Sequence, residues 1–236
     1  MSSVKAVTLF LCLATSLFGQ TVTVSDDSPR SPVALRGTVS FATGPINPLA
    51  VDDTACFLTG YNKSSKGIIA SSVELTFVRP SGEPAEAQYE MDHFFGTPLV
   101  SLPQADYPIA SGTADCQTGH EVGVERIPQP PEAHARLLFV QYEDGSYWGD
   151  AKVGARLMTQ RAETLEFLQS LKNAYTTSGL EGLSVALAIE QKPGTMAWLK
   201  VSGLRKIRDA SGLSAVADRI DKNLAMAEVR KAALVK

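Results

Sequence analysis

A change of sequence pattern at Arg136–Asp150 constrains this chain more than any other feature. Before it, short apolar runs are separated by turn residues, and after it apolar residues recur every three or four positions. The first pattern is typical of strands and the second of amphipathic helices. We therefore predict an α+β protein, with a β domain at 33–150 and a helical domain at 151–236.

The β half is best represented by Ile68–Arg79, where Val73, Leu75 and Phe77 alternate with polar residues. Such alternation indicates a strand with one buried face. Many short strands with regular turns and no interleaved helices predict an antiparallel, immunoglobulin-like β-sandwich of about seven strands. The predicted strands are 34–41, 55–61, 68–79, 87–95, 107–110, 121–127 and 136–142. The polar, proline-containing residues 21–32 are predicted to be a flexible leader.

The dipeptide Asp144-Gly145 lies between the last strand and Tyr147-Trp148. It predicts a two-residue type I′ hairpin turn, which requires positive φ at both central residues. Asp144 and Asp150 are predicted to form the turn and to cap the following helix.

The helical half contains four apolar stripes separated by short breaks, which predicts three or four antiparallel amphipathic helices. The first stripe places six residues on one helix face: Met158, Ala162, Leu165, Leu168, Leu171 and Tyr175. The last stripe runs through 213–227 and could instead form a homo-oligomer through the C-terminal helices.

The N-terminal residues resemble a secretory signal. Lys5 is the only charge in the first 25 residues, and the apolar run 6–18 follows it. This predicts a signal peptide at 1–20, cut after Ser16 or after residue 19 or 20, and a secreted or periplasmic protein. The alternatives are an uncleaved anchor and a buried N-terminal helix. No other run is long enough to span a membrane.

Three cysteines are present, and Cys12 lies in the predicted signal. Cys56 and Cys116 remain, and in an exported protein they can form one disulfide. Closing a loop of about 60 residues would stabilise the fold by roughly 4 kcal/mol. The alternative is two separate buried thiols.

Charge is divided between the two halves. Residues 1–150 hold 8 basic and 17 acidic side chains, a net −9, and residues 151–236 hold 14 and 8, a net +6. The densest basic run is 204–208. Either these cations occupy solvated helix faces, or they attract an acidic partner or surface. Export argues against a nucleic-acid partner.

Motifs for catalysis are absent from the sequence. It has no Gly-x-Ser-x-Gly elbow, no glycine-rich phosphate loop and no Cys-x-x-Cys pair. We therefore predict a non-enzymatic protein without a cofactor.

One cluster could bind a metal or supply acid and base groups. Glu90 and Asp92 would share one face of a strand, with His93 beside them and His120 as a further candidate. Carboxylates with an imidazole suit a divalent metal. The alternative is an exposed acidic face on an edge strand. A metal-dependent enzyme or metal binder is thus the second functional hypothesis.

Three aromatic residues flank the turn at 143–146, namely Tyr142, Tyr147 and Trp148. Exposed aromatic rings on a β scaffold are typical of protein- and glycan-binding surfaces. The alternative is that they pack in an interdomain joint.

Residues 55–142 resemble the immunoglobulin-like sandwich domains of many uncharacterised secreted bacterial proteins. The similarity lies in 62–65 (NKSS), in 73–77 (VELTF) before 80–82 (PSG), and in 138–140 (LFV) before 143–150 (EDGSYWGD). The resemblance implies an extracytoplasmic interaction or structural module and carries over no catalytic residues. The first hypothesis is accordingly an exported, non-enzymatic binding or structural module of the envelope or extracellular space, with an unknown protein or glycan partner.

Overall fold

The computed structural model describes residues 18–42, 54–80, 82–112, 116 and 130–231. Within them the protein is α+β, with two sheets followed by two C-terminal helices. The strands are β1 (Phe18–Thr23), β2 (Ser25–Asp26), β3 (Val33–Ala42), β4 (Thr54–Asn62), β5 (Ile68–Val78), β6 (Pro84–Asp92), β7 (Asp106–Gly112), β8 (Ala133–Tyr142) and β9 (Tyr147–Gly149). The helices are α1 (Ala151–Ala188) and α2 (Met196–Val229).

The first sheet has the order β1-β3-β4-β7, and the second has the order β2-β8-β5-β6 with β9 beside β8. β2 runs parallel to β8, whereas β1, β3, β4 and β7 pair antiparallel. The prediction was an antiparallel sandwich, and the parallel pairing of β2 with β8 departs from it. An immunoglobulin-like arrangement is not confirmed.

The chain forms two compact units. The first comprises the described residues within Met1–Ser64, Val73–Tyr89 and Gln104–Leu137, and the second those within Ser65–Ser72, Glu90–Pro103 and Leu138–Lys236. In the first unit the rings of Phe41 and Phe77 meet at 6.1 Å. Val73, Leu75 and Phe77 are buried while Glu74 and Thr76 are partly exposed, which confirms the predicted alternation over 73–77. Ser72, which the same alternation places on the exposed face, is buried.

Residues 21–32 are not a flexible leader. They contribute to β1 and β2, and Val22 pairs with Val39 on β3. The carboxylate of Asp26 accepts hydrogen bonds from the backbone N–H of Ser28 and of Leu35, at 2.8 and 3.0 Å. The polar side chain that suggests a loop therefore satisfies donors inside the fold.

The predicted type I′ turn is also wrong. Among the described non-glycine residues only Gln104 has positive φ, so Asp144 does not, whereas Gly145 has φ 82°. Tyr142 N–H donates to Ser146 O, and Gly145 N–H donates to Tyr142 O. This pattern fits a three-residue hairpin loop that ends in a left-handed glycine.

α1 begins at Ala151, where the strand pattern ends. Its N-cap is Asp150, whose carboxylate accepts from Lys152 N–H at 2.7 Å, so the predicted capping role is confirmed. Three or four helices are not confirmed. Each helix is interrupted once by residues with non-helical backbone angles, at Ser178–Gly179 in α1 and at Gly212 in α2.

The predicted stripe of α1 is confirmed at Leu168 and Leu171, whereas in the first part of the helix the buried positions lie one residue earlier than predicted. Its buried residues are Val153, Gly154, Leu157, Arg161, Thr164, Leu168, Leu171, Leu183 and Leu187. Two of these, Arg161 and Thr164, are polar, and a search for apolar periodicity passes over them.

Cys56 and Cys116 are joined as a disulfide, with Cα atoms 5.5 Å apart. Most of the predicted signal peptide, His120 and the predicted strand 121–127 lie outside the described residues. None of the helices in the described part of the chain combines the length and apolarity needed to cross a membrane.

Candidate functional site

The most buried charge of the second unit is Arg161 on α1, whose residue surface is 1% exposed. Its guanidinium donates from Nε and Nη2 to the two carboxylate oxygens of Asp92, at 2.8 Å each. This bidentate contact fits the planar guanidinium to the planar carboxylate, and it is the strongest geometry for an arginine–carboxylate ion pair.

The remaining donors of Arg161 are directed into the same unit. Nη1 donates to Gln141 Oε1, and the guanidinium carbon lies 4.6 Å from the centroid of the Phe94 ring. A buried charge requires such complete pairing, because an unpaired one would carry a large desolvation cost.

A second arginine holds the same segment from the end of α2. Arg230 Nη1 donates to the backbone carbonyls of His93, Phe94 and Gly96, at 2.6, 2.7 and 2.8 Å. Burial lowers the pKa of this guanidinium from its ordinary value, while the negative charges of Glu143 and Asp92 raise it. Residues 92–97 are therefore fixed by one arginine from each helix, and we call this arrangement the arginine clamp.

The predicted metal ligands have other partners in the structure. Asp92 belongs to the clamp, Glu90 pairs with Arg156, and His93 Nδ1 lies 2.9 Å from Thr97 O. Across the part of the chain that is described, no group of three or more His, Cys, Asp or Glu side chains is arranged to hold a metal ion. Metal binding at Glu90, Asp92 and His93 stays a prediction, and we derive no chemistry from it.

The clamp is a site that sequence reasoning missed. Arg161 follows Leu157 by four residues and precedes Thr164 by three, so its spacing places it on the buried stripe of α1. A helix stripe that includes an arginine is a signal for a buried ion pair, and Asp92 is an acidic residue at the end of a strand. Nothing in the sequence indicates Gln141 or Arg230 as partners.

The three predicted aromatics occupy different environments. Tyr142 is buried, with the Lys66 ammonium 5.5 Å from its ring centroid. Tyr147 and Trp148 on β9 are exposed, and the Tyr147 ring stacks on Phe139 at 5.7 Å. Tyr142 is therefore covered while Tyr147 and Trp148 remain at the surface. A role for these aromatics in binding or in an interdomain joint stays a prediction.

The loop between β8 and β9 is pinned by ionic contacts. Lys66 Nζ lies 2.7 Å from Asp144 and donates to Ser146 Oγ at 2.9 Å. The hydrogen bonds from Lys66 and Ser146 hold the pKa of Asp144 well below its usual range. The turn-forming role of Asp144 is thereby confirmed.

Exposed apolar side chains are concentrated where α1 leads into α2. Of the ten large exposed hydrophobic residues in the described ranges, five lie within 180–199. We call them the hairpin-end patch: Leu180, Val185, Ile189, Trp198 and Leu199. Val185 and Ile189 are one turn apart and share a helix face. Exposed apolar residues grouped in this way mark interaction surfaces in soluble proteins.

The backbone that carries the hairpin-end patch is well capped. Arg205 Nη2 donates to Leu187 O at 2.7 Å and to Ile189 O at 3.2 Å, which satisfies carbonyls at the end of α1. Thr195 is the N-cap of α2, and its Oγ1 accepts from Trp198 N–H at 3.2 Å. Hydrogen bonds thus satisfy backbone groups on both sides of the turn between α1 and α2.

The stripe at 213–227 is unavailable for an oligomer interface. Val216, Ile220 and Ala227 are buried in the core of the second unit, together with Leu168 and Leu171 of α1. Leu213 and Leu224 pack against the same core.

In the first unit, a shallow cleft of about 610 Å³ lies on one face of the first sheet. It is lined by Arg36, Thr38, Phe57, Thr59, Asp106 and Ser111, among others. The Phe57 side chain is 47% exposed although it belongs to the central strand β4. The Arg36 guanidinium is held 5.2 Å from the Tyr61 ring centroid. An apolar ring among hydroxyl and charged groups can bind an amphipathic ligand.

Comparison with protein-family models, curated proteins and solved structures finds no match for this chain. Function must therefore be inferred from the geometry of the chain itself.

Proposed function

We propose that this chain is an exported, non-enzymatic binding module that contacts a partner protein through the hairpin-end patch. The observation that carries the proposal is that five exposed large apolar residues occur within 180–199, the stretch that contains the end of α1 and the start of α2. Hydrophobic anchors dominate the affinity of protein interfaces, and a pre-ordered backbone lowers the entropy lost on binding.

Export is supported by two independent features. The N-terminal residues have the charge and apolar run of a secretory signal, and Cys56 and Cys116 form a disulfide. Disulfides persist mainly in oxidising compartments. An immunoglobulin-like relation enters this proposal only as an architecture typical of extracytoplasmic modules.

A non-catalytic role is supported by the surroundings of the titratable groups. The carboxylates of Glu90 and Asp92 are paired with guanidinium groups of α1, and neither lines the cleft around Phe57. A general acid or base must be within reach of a substrate. The arginine clamp is better suited to holding the 92–97 segment in place.

The experiment measures the hydrodynamic mass of the protein in a native extract of the organism that makes it and in purified form. We expect a complex larger than the purified protein, lost in Ile189→Asp and Leu199→Asp because the charge opposes burial of these positions. Val229→Asp is the matched control, since Val229 is exposed on α2 outside the patch. Loss of the complex in all three variants equally, or no complex in the wild type, would refute the proposal.

A second candidate, glycan binding, is favoured by the cleft around Phe57. A sugar ring can stack its apolar face on an aromatic side chain while hydroxyl and charged groups bind its hydroxyls. Phe57, with Arg36 and Asp106 at the same cleft, offers these groups.

Affinity electrophoresis in gels that contain soluble polysaccharides tests this candidate. We expect retardation by at least one polysaccharide, lost in Phe57→Ala and kept in Tyr147→Ala, which removes an exposed ring from the second unit. Equal migration of the wild type with and without every polysaccharide would eliminate glycan binding at this cleft.

A further inference from the structure

A hollow of about 430 Å³ lies on α2 beside Gly212, where φ 83° and ψ 172° interrupt the helix. We call it the kink groove. Its lining combines three apolar residues with three cations: Ile207, Ala210, Ala215, Lys206, Arg219 and Lys222. Ser211 and one carboxylate, Asp218, complete it.

The cations of the groove differ from the other basic residues nearby. Arg205 binds carbonyls at the end of α1, and Arg208 pairs with Asp209 at 2.8 Å. Within the described ranges, Lys206, Arg219 and Lys222 take part in no ion pair or hydrogen bond. With Asp218 as the only carboxylate of the lining, the groove carries a net charge of +2 (three cations less one anion).

We propose that the kink groove binds an acidic peptide segment of a partner protein. Lys206 precedes Gly212 and Lys222 follows it, and both line the groove, so a ligand that fills the groove meets cations from both helical segments. A peptide that carries several carboxylates can pair with more than one of these cations at once.

The floor of the groove selects among polyanions. Ile207, Ala210 and Ala215 are apolar and line the groove together with the cations, so the ligand needs apolar side chains as well as carboxylates. Uronic or sulfated saccharides present hydroxyl groups in place of such side chains. A flat anionic membrane contacts cations that protrude from a protein surface, so its headgroups fit poorly into a hollow. This proposal does not depend on the hairpin-end patch.

The test uses fluorescence anisotropy of a labelled peptide, EELALEE, with the full mature chain. We expect saturable binding that weakens about tenfold or more in the double variant Lys206→Ala, Lys222→Ala. The matched control, Lys152→Ala with Lys192→Ala, removes the same charge from exposed positions outside the groove and should keep the wild-type affinity. Asp218→Ala removes the repelling carboxylate and should bind the peptide several-fold more tightly.

Equal weakening in both double variants would overturn the proposal, because the attraction would then reflect net charge alone. Weaker binding in Asp218→Ala would also overturn it. The proposal would also be overturned if the wild type did not bind the peptide but did bind phosphatidylglycerol vesicles or heparin, and if the groove variant lost that binding. All substituted side chains are exposed, so the variants should fold like the wild type.

Discussion

The arginine clamp gives the sharpest prediction for stability. Arg161→Met removes the buried guanidinium but keeps much of its apolar volume. Asp92 is left without its partner, and its side chain is 24% exposed, so water can solvate part of the carboxylate. We expect a loss of about 3 kcal/mol in the free energy of unfolding of the second unit, the lower end for breaking a buried pair.

Substitution of the partner, Asp92, should lower the free energy of unfolding more. Asp92→Leu leaves the guanidinium of Arg161 at 1% exposure, with Gln141 Oε1 and the Met158 sulfur as its remaining hydrogen-bond acceptors. It also removes the acceptor of Phe94 N–H. We expect a loss of about 5 kcal/mol. Because the two side chains interact directly, the loss in the free energy of unfolding of the double variant should be smaller than the sum of the two single losses by about 1–3 kcal/mol.

Urea denaturation followed by tryptophan fluorescence measures these losses selectively. The chain has two tryptophans, Trp148 and Trp198, and both belong to the second unit. The matched control is Arg156→Met, which removes an arginine of the same helix from a more exposed pair with Glu90. Surface pairs contribute about 0–1 kcal/mol. If Arg161→Met destabilises no more than Arg156→Met, the reasoning about burial is wrong.

Three further outcomes follow from the first unit. The hydrogen bond to Asp27 and the nearby charge of Glu132 raise the pKa of His134, so its contribution to stability should be present below about pH 6.5 and be lost as the pH rises through the raised value. NMR titration should show this elevated pKa, and Asp27→Asn should lower it; an unchanged titration would contradict the assignment. Replacing Cys56 and Cys116 together with Ala should lower the free energy of unfolding by about 4 kcal/mol, and a loss below about 1 kcal/mol would refute the loop-entropy estimate. Mass spectrometry of the mature protein should find cleavage after Ser16, which keeps β1 (Phe18–Thr23) whole, and no free thiol; a retained Cys12 would refute export by a cleaved signal.

Local patterns predicted much of the secondary structure. The alternation at 73–77 identified β5, and the change of period placed the start of α1 at residue 151. Pairing partners were harder to predict, because β2 joins β8 in parallel across more than one hundred residues. Residues 21–32 were wrongly predicted to be a flexible leader, because their polar side chains form hydrogen bonds inside the fold.

The site was less predictable than the strands. Asp92 and His93 were singled out by residue type, yet their surroundings depend on Arg161 and Arg230, which lie far along the chain. Apolar periodicity cannot reveal a buried arginine, since it scores that residue as polar. Likewise the basic run 204–208 divides among a carbonyl cap, an ion pair and the kink groove once the helix is bent at Gly212.

Site-specific photo-crosslinking in the producing organism tests the central claim most directly. A photoreactive amino acid would replace Trp198 in one variant and Val229 in another, both exposed apolar positions on α2. A protein-binding role for the hairpin-end patch predicts one adduct of defined mass from position 198 and none from position 229. Equal adducts from both positions, or none from either, would contradict it.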